Sequence, residues 1–272
     1  MYLINETKNI LRKFRYIYFQ SKFKPPNKSK DINYESCVTL RNKGIFIKKN
    51  FHLESKFSAN LLEYYYKNIS EEKIKSIITS NLEKDNKSNQ GSIKHPKREY
   101  KVLITDLFNN QDLINFANQD FLLKNIEQYF GFKPYLRNLN VQLDFDNPSM
   151  ISPGPTQHFH RDYDDIKLVK VFFYLTNVKN LNSGPFEFIE KSHLKPWYHK
   201  YSDHVKNNMF LETSPNKKSC LGESGTLIMA DTNGYHRGHN LKNNYRILVY
   251  AMYTSNKPFT GKLKNFLNDK EH

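Results

Sequence analysis

The chain has 272 residues, 38% of them hydrophobic and 14% aromatic, and it carries a net charge of +15. Its 20 Phe and 18 Tyr residues can bury enough apolar area for a sizeable core. No stretch approaches the roughly 20 apolar residues of a membrane-spanning helix, and the N-terminus has no secretory signal. We therefore expect a single domain over residues 1–272 without a transmembrane segment.

The cysteine content is low and gives no framework for disulfides or metals. Cys37 and Cys220 are far apart in the sequence and lack metal-ligand spacing. This count is typical of a reducing compartment and predicts a cytoplasmic protein, with one disulfide between the two left open.

The positive charge has two interpretations. Nucleic-acid binding needs Lys and Arg to neutralise phosphates. Here most basic residues are lysines spread along the chain, and no helix-turn-helix, zinc-finger or RNA-binding signature accompanies them. We favour a solvated surface and do not expect a nucleic-acid partner. The alternative is attraction of an acidic substrate, membrane or polymer.

The first half of the chain has mainly helical patterns. Residues 1–24 can form a basic amphipathic helix, which either packs on the outside of the domain or contacts a membrane surface. Helices are also expected at 59–67, 71–81 and 112–129, whereas the polar residues 85–97 predict a loop.

The second half has strand-like patterns, beginning with the alternating segment 137–145. Four further strands are expected, at 167–178, 186–189, 225–231 and 245–255. Helices followed by antiparallel strands predict an α+β chain built on a double-sheet jelly roll. We divide it into a mainly helical decoration over 1–134, a β core over 135–258 and a tail over 259–272.

Three polar residues form a candidate metal site. His160 and Asp162 are alternate residues, so on a strand their side chains share one face, and His236 follows another predicted strand. Two histidines and one carboxylate are the ligand set of non-haem Fe(II) sites. Taken alone, the H-x-D pair is more often a surface polar pair and His236 a turn histidine. Their order on strands of one barrel favours a metal site.

Arg246 lies at the start of the last predicted strand. Alternation places it on one face with Leu248, Tyr250 and Met252. A guanidinium pointing into a barrel can hold a carboxylate of an acidic cosubstrate in a bidentate fork. An ordinary buried salt bridge to one of the chain's own acids is equally compatible with the pattern.

Three other polar residues near these motifs are weaker candidates for the functional site. His158 shares a face with His160 and is interpreted as a group on the substrate side. Arg237 and His239, just after His236, could contact an acidic substrate, and surface hydrogen bonding is the alternative for each.

The segments QHFHRDYDD, VKVFFYLTNV, SGPFEFIEKSH, GTLIMADTNGYHRG and YRILVYAMYTS together resemble the phytanoyl-CoA dioxygenase-like family of Fe(II)/2-oxoglutarate-dependent oxygenases. The resemblance covers about residues 137–255. It implies a double-stranded β-helix, iron bound by His160, Asp162 and His236, and the distal carboxylate of 2-oxoglutarate bound by Arg246. Some members use a lysine on the strand before the H-x-D loop, and the nearest match here is Gln142.

The resemblance implies a dioxygenase that uses Fe(II), 2-oxoglutarate and O2 and releases succinate and CO2. Related halogenases lack the carboxylate ligand, so the presence of Asp162 favours hydroxylation of a C–H bond. The basic surface favours a small anionic metabolite as substrate. The alternatives are a catalytically silent jelly-roll binding protein and a demethylase acting on a nucleic acid or protein.

Overall fold

The fold was analysed in a computed structural model that describes residues 34–88, 100–148, 153–162, 164–165, 167–194 and 208–255. The helix expected at 1–24 and the tail expected at 259–272 lie outside these ranges. Within them, no helix is both long enough and apolar enough to cross a membrane. Cys37 and Cys220 are both buried and free.

Six α-helices occur in the described ranges. They are α1 (Tyr34–Lys43), α2 (Lys56–Asn68), α3 (Glu71–Ser88), α4 (Asn110–Ala117), α5 (Asp120–Phe130) and α6 (Asn208–Glu212). Ser55 caps α2 by accepting a hydrogen bond from the Ser58 amide, and Asn109 caps α4 in the same way. Gly131, at φ 82°, ends α5 in the left-handed region that favours glycine.

Two helix predictions need correction. The helix expected at 112–129 is divided into α4 and α5, because the side chains of Asn118 and Gln119 donate to the backbone carbonyls of Ile114 and Phe116 at the break. Helix α3 continues to Ser88, so the loop expected at 85–97 is wrong for its first four residues.

Within the described residues, nine strands form two antiparallel sheets. They are β1 (Ile45–Lys48), β2 (Lys101–Leu103), β3 (Tyr135–Phe145), β4 (Leu168–Tyr174), β5 (Phe186–Ile189), β6 (Lys217–Cys220), β7 (Leu227–Ala230), β8 (His236–Gly238) and β9 (Tyr245–Thr254). The large sheet has the order β1-β7-β4-β9-β3-β2, and the small sheet has the order β6-β5-β8. This is a mixed helix and jelly-roll architecture, in agreement with the α+β, double-stranded β-helix prediction.

The two faces of the large sheet have different partners. On β4, Val169, Val171 and Phe173 belong to the main hydrophobic core with the helices, whereas Phe172 and Tyr174 pack in a second cluster with the small sheet. The same two-residue period runs along β3 and β9. Because alternate residues of a strand point to opposite faces, each of these strands presents one set of side chains to the space between the sheets.

The residues before 135 contribute strands as well as helices. β1 pairs with β7 and β2 pairs with β3, so both edges of the large sheet come from the first half of the chain. Neither strand is among those expected from the sequence. The division at residue 135 stays a prediction.

Candidate functional site

A cavity of about 510 Å³ lies between the two sheets. Its walls come from the inward faces of β3, β4 and β9, from the short strand β2 and from β8 with the residues that follow it. The volume falls in the range of about 300–1,000 Å³ that is usual for small-molecule sites. His160, Asp162 and His236 line one part, called here the metal end, and Arg246 with Asp144 lines another, called the cation end.

The three predicted metal ligands meet at the metal end. One nitrogen of each histidine and one oxygen of Asp162 all lie within 4.8 Å of one another. His236 Nε2 is 3.4 Å from Asp162 Oδ2, and the two imidazole centroids are 4.3 Å apart. Separations of this size suit a single ion bound by all three groups.

Backbone pairing holds these residues in place. His160 and His236 form an isolated β-bridge, each amide donating to the other's carbonyl at 2.9 Å. The Asp162 amide donates to the carbonyl of Thr232 at 2.8 Å. The sequence predicted a regular strand through His160 and Asp162. The structure has only this single bridge, because the segment pairs across the turn that precedes β8.

Hydrogen bonds also fix the protonation of both imidazoles. His160 Nδ1 lies 2.8 Å from the carbonyl of His158, and His236 Nδ1 lies 3.0 Å from the carbonyl of Gly234. A carbonyl only accepts, so each Nδ1 carries a proton, and in a neutral ring Nε2 then keeps its lone pair. Metal-bound histidines in proteins are oriented by this same kind of contact.

The electrostatics favour the protonation states that bind metal. Burial, together with the nearby His160, lowers the pKa of His236 to about 3, so its imidazole is neutral at ordinary pH. Burial alone would raise the pKa of Asp162, but Lys170 and the two histidines hold it below its usual range. The donor set therefore fits Fe(II) or a similar divalent ion, with two nitrogen ligands and one oxygen ligand.

Lys170 is a residue of this site that the sequence analysis missed. It is on the inward face of β4, and its ammonium lies 2.6 Å from Asp162 Oδ2. Both side chains are nearly buried, at 14% and 12% exposure. The signal available in the sequence was a single charged residue within an otherwise apolar strand.

At the cation end, Arg246 is already paired. Its Nη2 lies 2.5 Å from Asp144 Oδ2, its Nε donates to the same oxygen, and Nη1 donates to the carbonyl of Gly184. Arg246 and Asp144 are directly opposite each other on β9 and β3. Of the two interpretations of Arg246, the structure therefore contains the buried ion pair with one of the chain's own acids. An anion reaching Arg246 has to share it with Asp144.

Gln142 belongs to the same network. It lines the cavity, and its Nε2 donates to Asp144 Oδ1 at 2.6 Å. The amide is thus on the side of Asp144 away from Arg246 and holds the carboxylate in place. A direct role for Gln142 in binding a cosubstrate stays a prediction.

The three weaker candidates lie in different places. His158 is exposed and contributes its carbonyl to His160, while His239 lines the cavity. Arg237 forms ion pairs with Glu187 and Glu212 that join β8 to β5 and α6. Its guanidinium is therefore occupied by structural contacts.

No protein-family model matches the chain, and no curated protein matches it. Among solved structures, the epimerase SnoN in complex with Fe3+, alpha ketoglutarate and nogalamycin RO is 16% identical, with a TM-score of 0.52. The match covers 82% of this chain and 83% of SnoN. At this identity the likeness shows the fold alone, and it supports the jelly roll.

HygX from Streptomyces hygroscopicus, solved with nickel and 2-oxoglutarate bound, is 13% identical over 82% of this chain and 87% of HygX. Its TM-score is 0.47.

Proposed function

We propose that the chain is an Fe(II)- and 2-oxoglutarate-dependent oxygenase that hydroxylates a C–H bond of a small molecule. The observation that carries this proposal is the convergence of His160, Asp162 and His236 with both Nδ1 atoms held by carbonyls. A set of two imidazoles and one carboxylate leaves coordination positions for a cosubstrate and O2. SnoN, which has a similar fold, was crystallised with iron and alpha ketoglutarate.

His160, Asp162 and His236 would hold the iron, which supplies the activation of O2 when bound. In the proposed reaction one atom of O2 enters the substrate, converting C–H to C–OH. The other atom enters 2-oxoglutarate, which loses CO2 and becomes succinate. No further reductant is needed, because O2 takes two electrons from 2-oxoglutarate and two from the C–H bond of the substrate.

The cation end fits the far carboxylate of 2-oxoglutarate. Arg246 is buried and opens on the same cavity as the triad. We propose that it binds this carboxylate while still paired with Asp144, and that Gln142 keeps Asp144 turned towards Arg246. Sharing one guanidinium between two carboxylates weakens the attraction for each of them, so the affinity for 2-oxoglutarate is expected to be modest.

The cavity gives less support to the alternatives. A binding protein without turnover does not need two histidines beside a carboxylate, each with its Nδ1 held by a backbone carbonyl. A demethylase acting on nucleic acid predicts a basic groove beside the iron. The charged side chains lining the described cavity are balanced, three positive against three negative: Lys101, Lys170, Arg246, Asp144, Asp162 and Asp164.

The same balance bears on the class of substrate. The net charge of +15 on the whole chain favours an anionic metabolite, whereas the balanced charges of the cavity lining do not. We also propose that the protein is located in the cytoplasm. Its two free, buried cysteines are compatible with this location.

The test is an anaerobic titration of metal-free protein with Fe(II) and then 2-oxoglutarate, followed by the visible metal-to-ligand charge-transfer band. We expect a band in the wild type, none in His160→Ala, and a weaker one in Arg246→Ala. His239→Ala is the matched control, because His239 lines the cavity but is outside the triad. It should retain the full band.

Two outcomes contradict the proposal. Absence of the band in folded, iron-containing wild type leaves the binding protein as the better hypothesis. If the band forms and 2-oxoglutarate is converted to succinate, product analysis with labelled O2 decides the reaction type. A product that gains no oxygen atom excludes hydroxylation and favours a rearrangement such as epimerisation.

A further inference from the structure

One wall of the cavity is formed by uncharged amides. Strand β3 places Asn138, Asn140 and Gln142 at alternate positions, so their side chains share its inward face and line the cavity. All three are half-buried. We call these three residues the amide strip.

The amide strip has hydrogen-bonding capacity that the described part of the protein does not use. Asn140 Nδ2 donates to Asn138 Oδ1, and Thr105 Oγ1 donates to Asn140 Oδ1 at 3.4 Å. Within the described residues, Asn138 Nδ2 has no acceptor and Gln142 Oε1 has no donor. A half-buried amide left in this state favours a ligand or solvent that supplies the missing partner.

The register of the large sheet places the strip within reach of the metal end. Asn138 is opposite Met252 on β9, and Met252 is opposite Lys170 on β4. Neighbouring strands are about 4.8 Å apart, so the backbones at Asn138 and Lys170 are separated by roughly 10 Å across the sheet. Lys170 itself contacts the metal ligand Asp162. A molecule of the size of one sugar ring would span this distance.

The chemistry of the strip selects among classes of substrate. Phosphates and carboxylates are bound by Arg and Lys. Of the three cations that line the cavity, Lys170 and Arg246 are already paired with Asp162 and Asp144, and Lys101 lies over the ring of Tyr100. Amides carry both donors and acceptors without net charge, and a hydroxyl group also both donates and accepts. A row of amides is therefore matched by a row of hydroxyls.

We propose that the amide strip binds an uncharged, hydroxyl-rich substrate, such as a sugar or a cyclitol, and holds it with one C–H bond towards the metal end. This inference rests on the proposed oxygenase function and adds the class of its substrate. It replaces the expectation of an anionic substrate, which depended on net charge alone.

The test uses protein loaded with Mn(II) and 2-oxoglutarate, which is inert towards turnover but relaxes the nuclear spins of any molecule bound near the metal. The neutral probes are four methyl glycosides (gluco, manno, galacto and rhamno) and myo-inositol. Glucose 6-phosphate and hexanoate are the anionic and apolar probes. We expect enhanced proton relaxation of at least one neutral probe, saturable in a titration, and none for hexanoate.

The variant Asn138→Leu/Asn140→Leu keeps the number and branching of the side-chain heavy atoms and removes the hydrogen bonds. It should weaken binding of the neutral probe by about tenfold or more, while Mn(II) and 2-oxoglutarate bind as in the wild type. Asn68→Leu is the control, since Asn68 is exposed at the end of α2, away from the cavity.

The outcomes separate this inference from the function on which it rests. If Mn(II) and 2-oxoglutarate bind but none of the neutral probes is relaxed, the substrate class is wrong and the oxygenase proposal stands. Preferential relaxation of glucose 6-phosphate or hexanoate, or full binding by the leucine variant, also overturns the inference. If the wild type does not bind Mn(II) at the triad, the proposed function itself fails.

Discussion

The metal end and the cation end of the cavity are held by different kinds of contact. At the metal end, backbone carbonyls orient His160 and His236, and each ring keeps a lone pair for an incoming ion. At the cation end, the carboxylate of Asp144 neutralises Arg246. A side chain that is held by hydrogen bonds to backbone carbonyls stays available for a ligand. In a side-chain ion pair, the charge of each partner is already neutralised by the other. A metal ion therefore reaches both imidazoles without displacing a backbone carbonyl and competes with Lys170 only for Asp162, whereas an anion competes with Asp144 for Arg246.

The largest expected effect is at the cation end, where Arg246→Ala leaves Asp144 buried without its cation. Removing one partner of a buried pair costs about 3–5 kcal/mol of the free energy of unfolding. Urea denaturation of the metal-free protein measures this loss.

Two further variants check the cause of that loss. Lys75→Ala, which removes an exposed ion pair to Glu71 on α3, should leave stability unchanged. The double variant Arg246→Met/Asp144→Leu should recover most of the stability. A double variant as unstable as Arg246→Ala would show that the cost does not come from an unpaired charge.

The next largest effect is at the metal end, where His236→Ala removes one of three ligands. Full structural metal sites bind with about 10–16 kcal/mol for four ligands, so one ligand is worth roughly 3 kcal/mol, or more than about a hundredfold in affinity. Calorimetric titration with Mn(II) gives the two dissociation constants. His239→Ala should bind as the wild type does, and equal losses in both variants would contradict the assignment of the triad.

A variant of Arg161 tests whether contacts to the backbone affect metal binding at the metal end. Its side chain is buried and donates to the carbonyls of Asn233 and Ser192, which join the H-x-D segment to the turn before β8. Arg161→Lys cannot reproduce this fork, and such supporting changes typically reduce metal affinity by about 10–100-fold. Arg41→Lys is the control, since Arg41 donates to the carbonyl of Gln128 outside the cavity. Equal Mn(II) affinity in both variants would remove Arg161 from this role.

The smallest effect, in the opposite direction, concerns Lys170. Its ammonium contacts the Asp162 oxygen that a metal would use, so Lys170→Met should increase the affinity for Mn(II), measured without 2-oxoglutarate. Repulsion between like charges a few ångströms apart is comparable to the ~1.4 kcal/mol that corresponds to tenfold, and we expect a gain of about tenfold. A weaker affinity would mean that Lys170 supports metal binding instead of competing with it.

The sequence predicted strands that have a recognisable pattern of apolar residues. Strand β3 was expected at 137–145 and found at 135–145, and β5 was found at its predicted bounds. Strands β6 and β8, with the sequences KKSC and HRG, were not predicted, since they lack the apolar residues by which β5, also of four residues, was recognised. Their existence depends on pairing with β5, which is a tertiary contact.

For the site, too, some features could be predicted from the sequence and others could not. The ligand types and the inward face of Arg246 followed from local pattern. That Asp144 neutralises Arg246 could not be predicted, because it depends on the register between β3 and β9, strands about 100 residues apart in sequence. Lys170 was visible as a charge in an apolar strand, but its contact with Asp162 depends on how the irregular H-x-D segment crosses β4.

The short edge strands of the large sheet also affect how the chain behaves in solution. β1 and β2 have four and three residues and cover β7 and β3, so each edge offers few unpaired backbone groups to another molecule. A chain cut back to the core expected at 135–258 would lose both. It would expose part of an eleven-residue strand whose amides and carbonyls can pair with a second copy. The preceding residues therefore protect the protein from aggregation as well as covering its core.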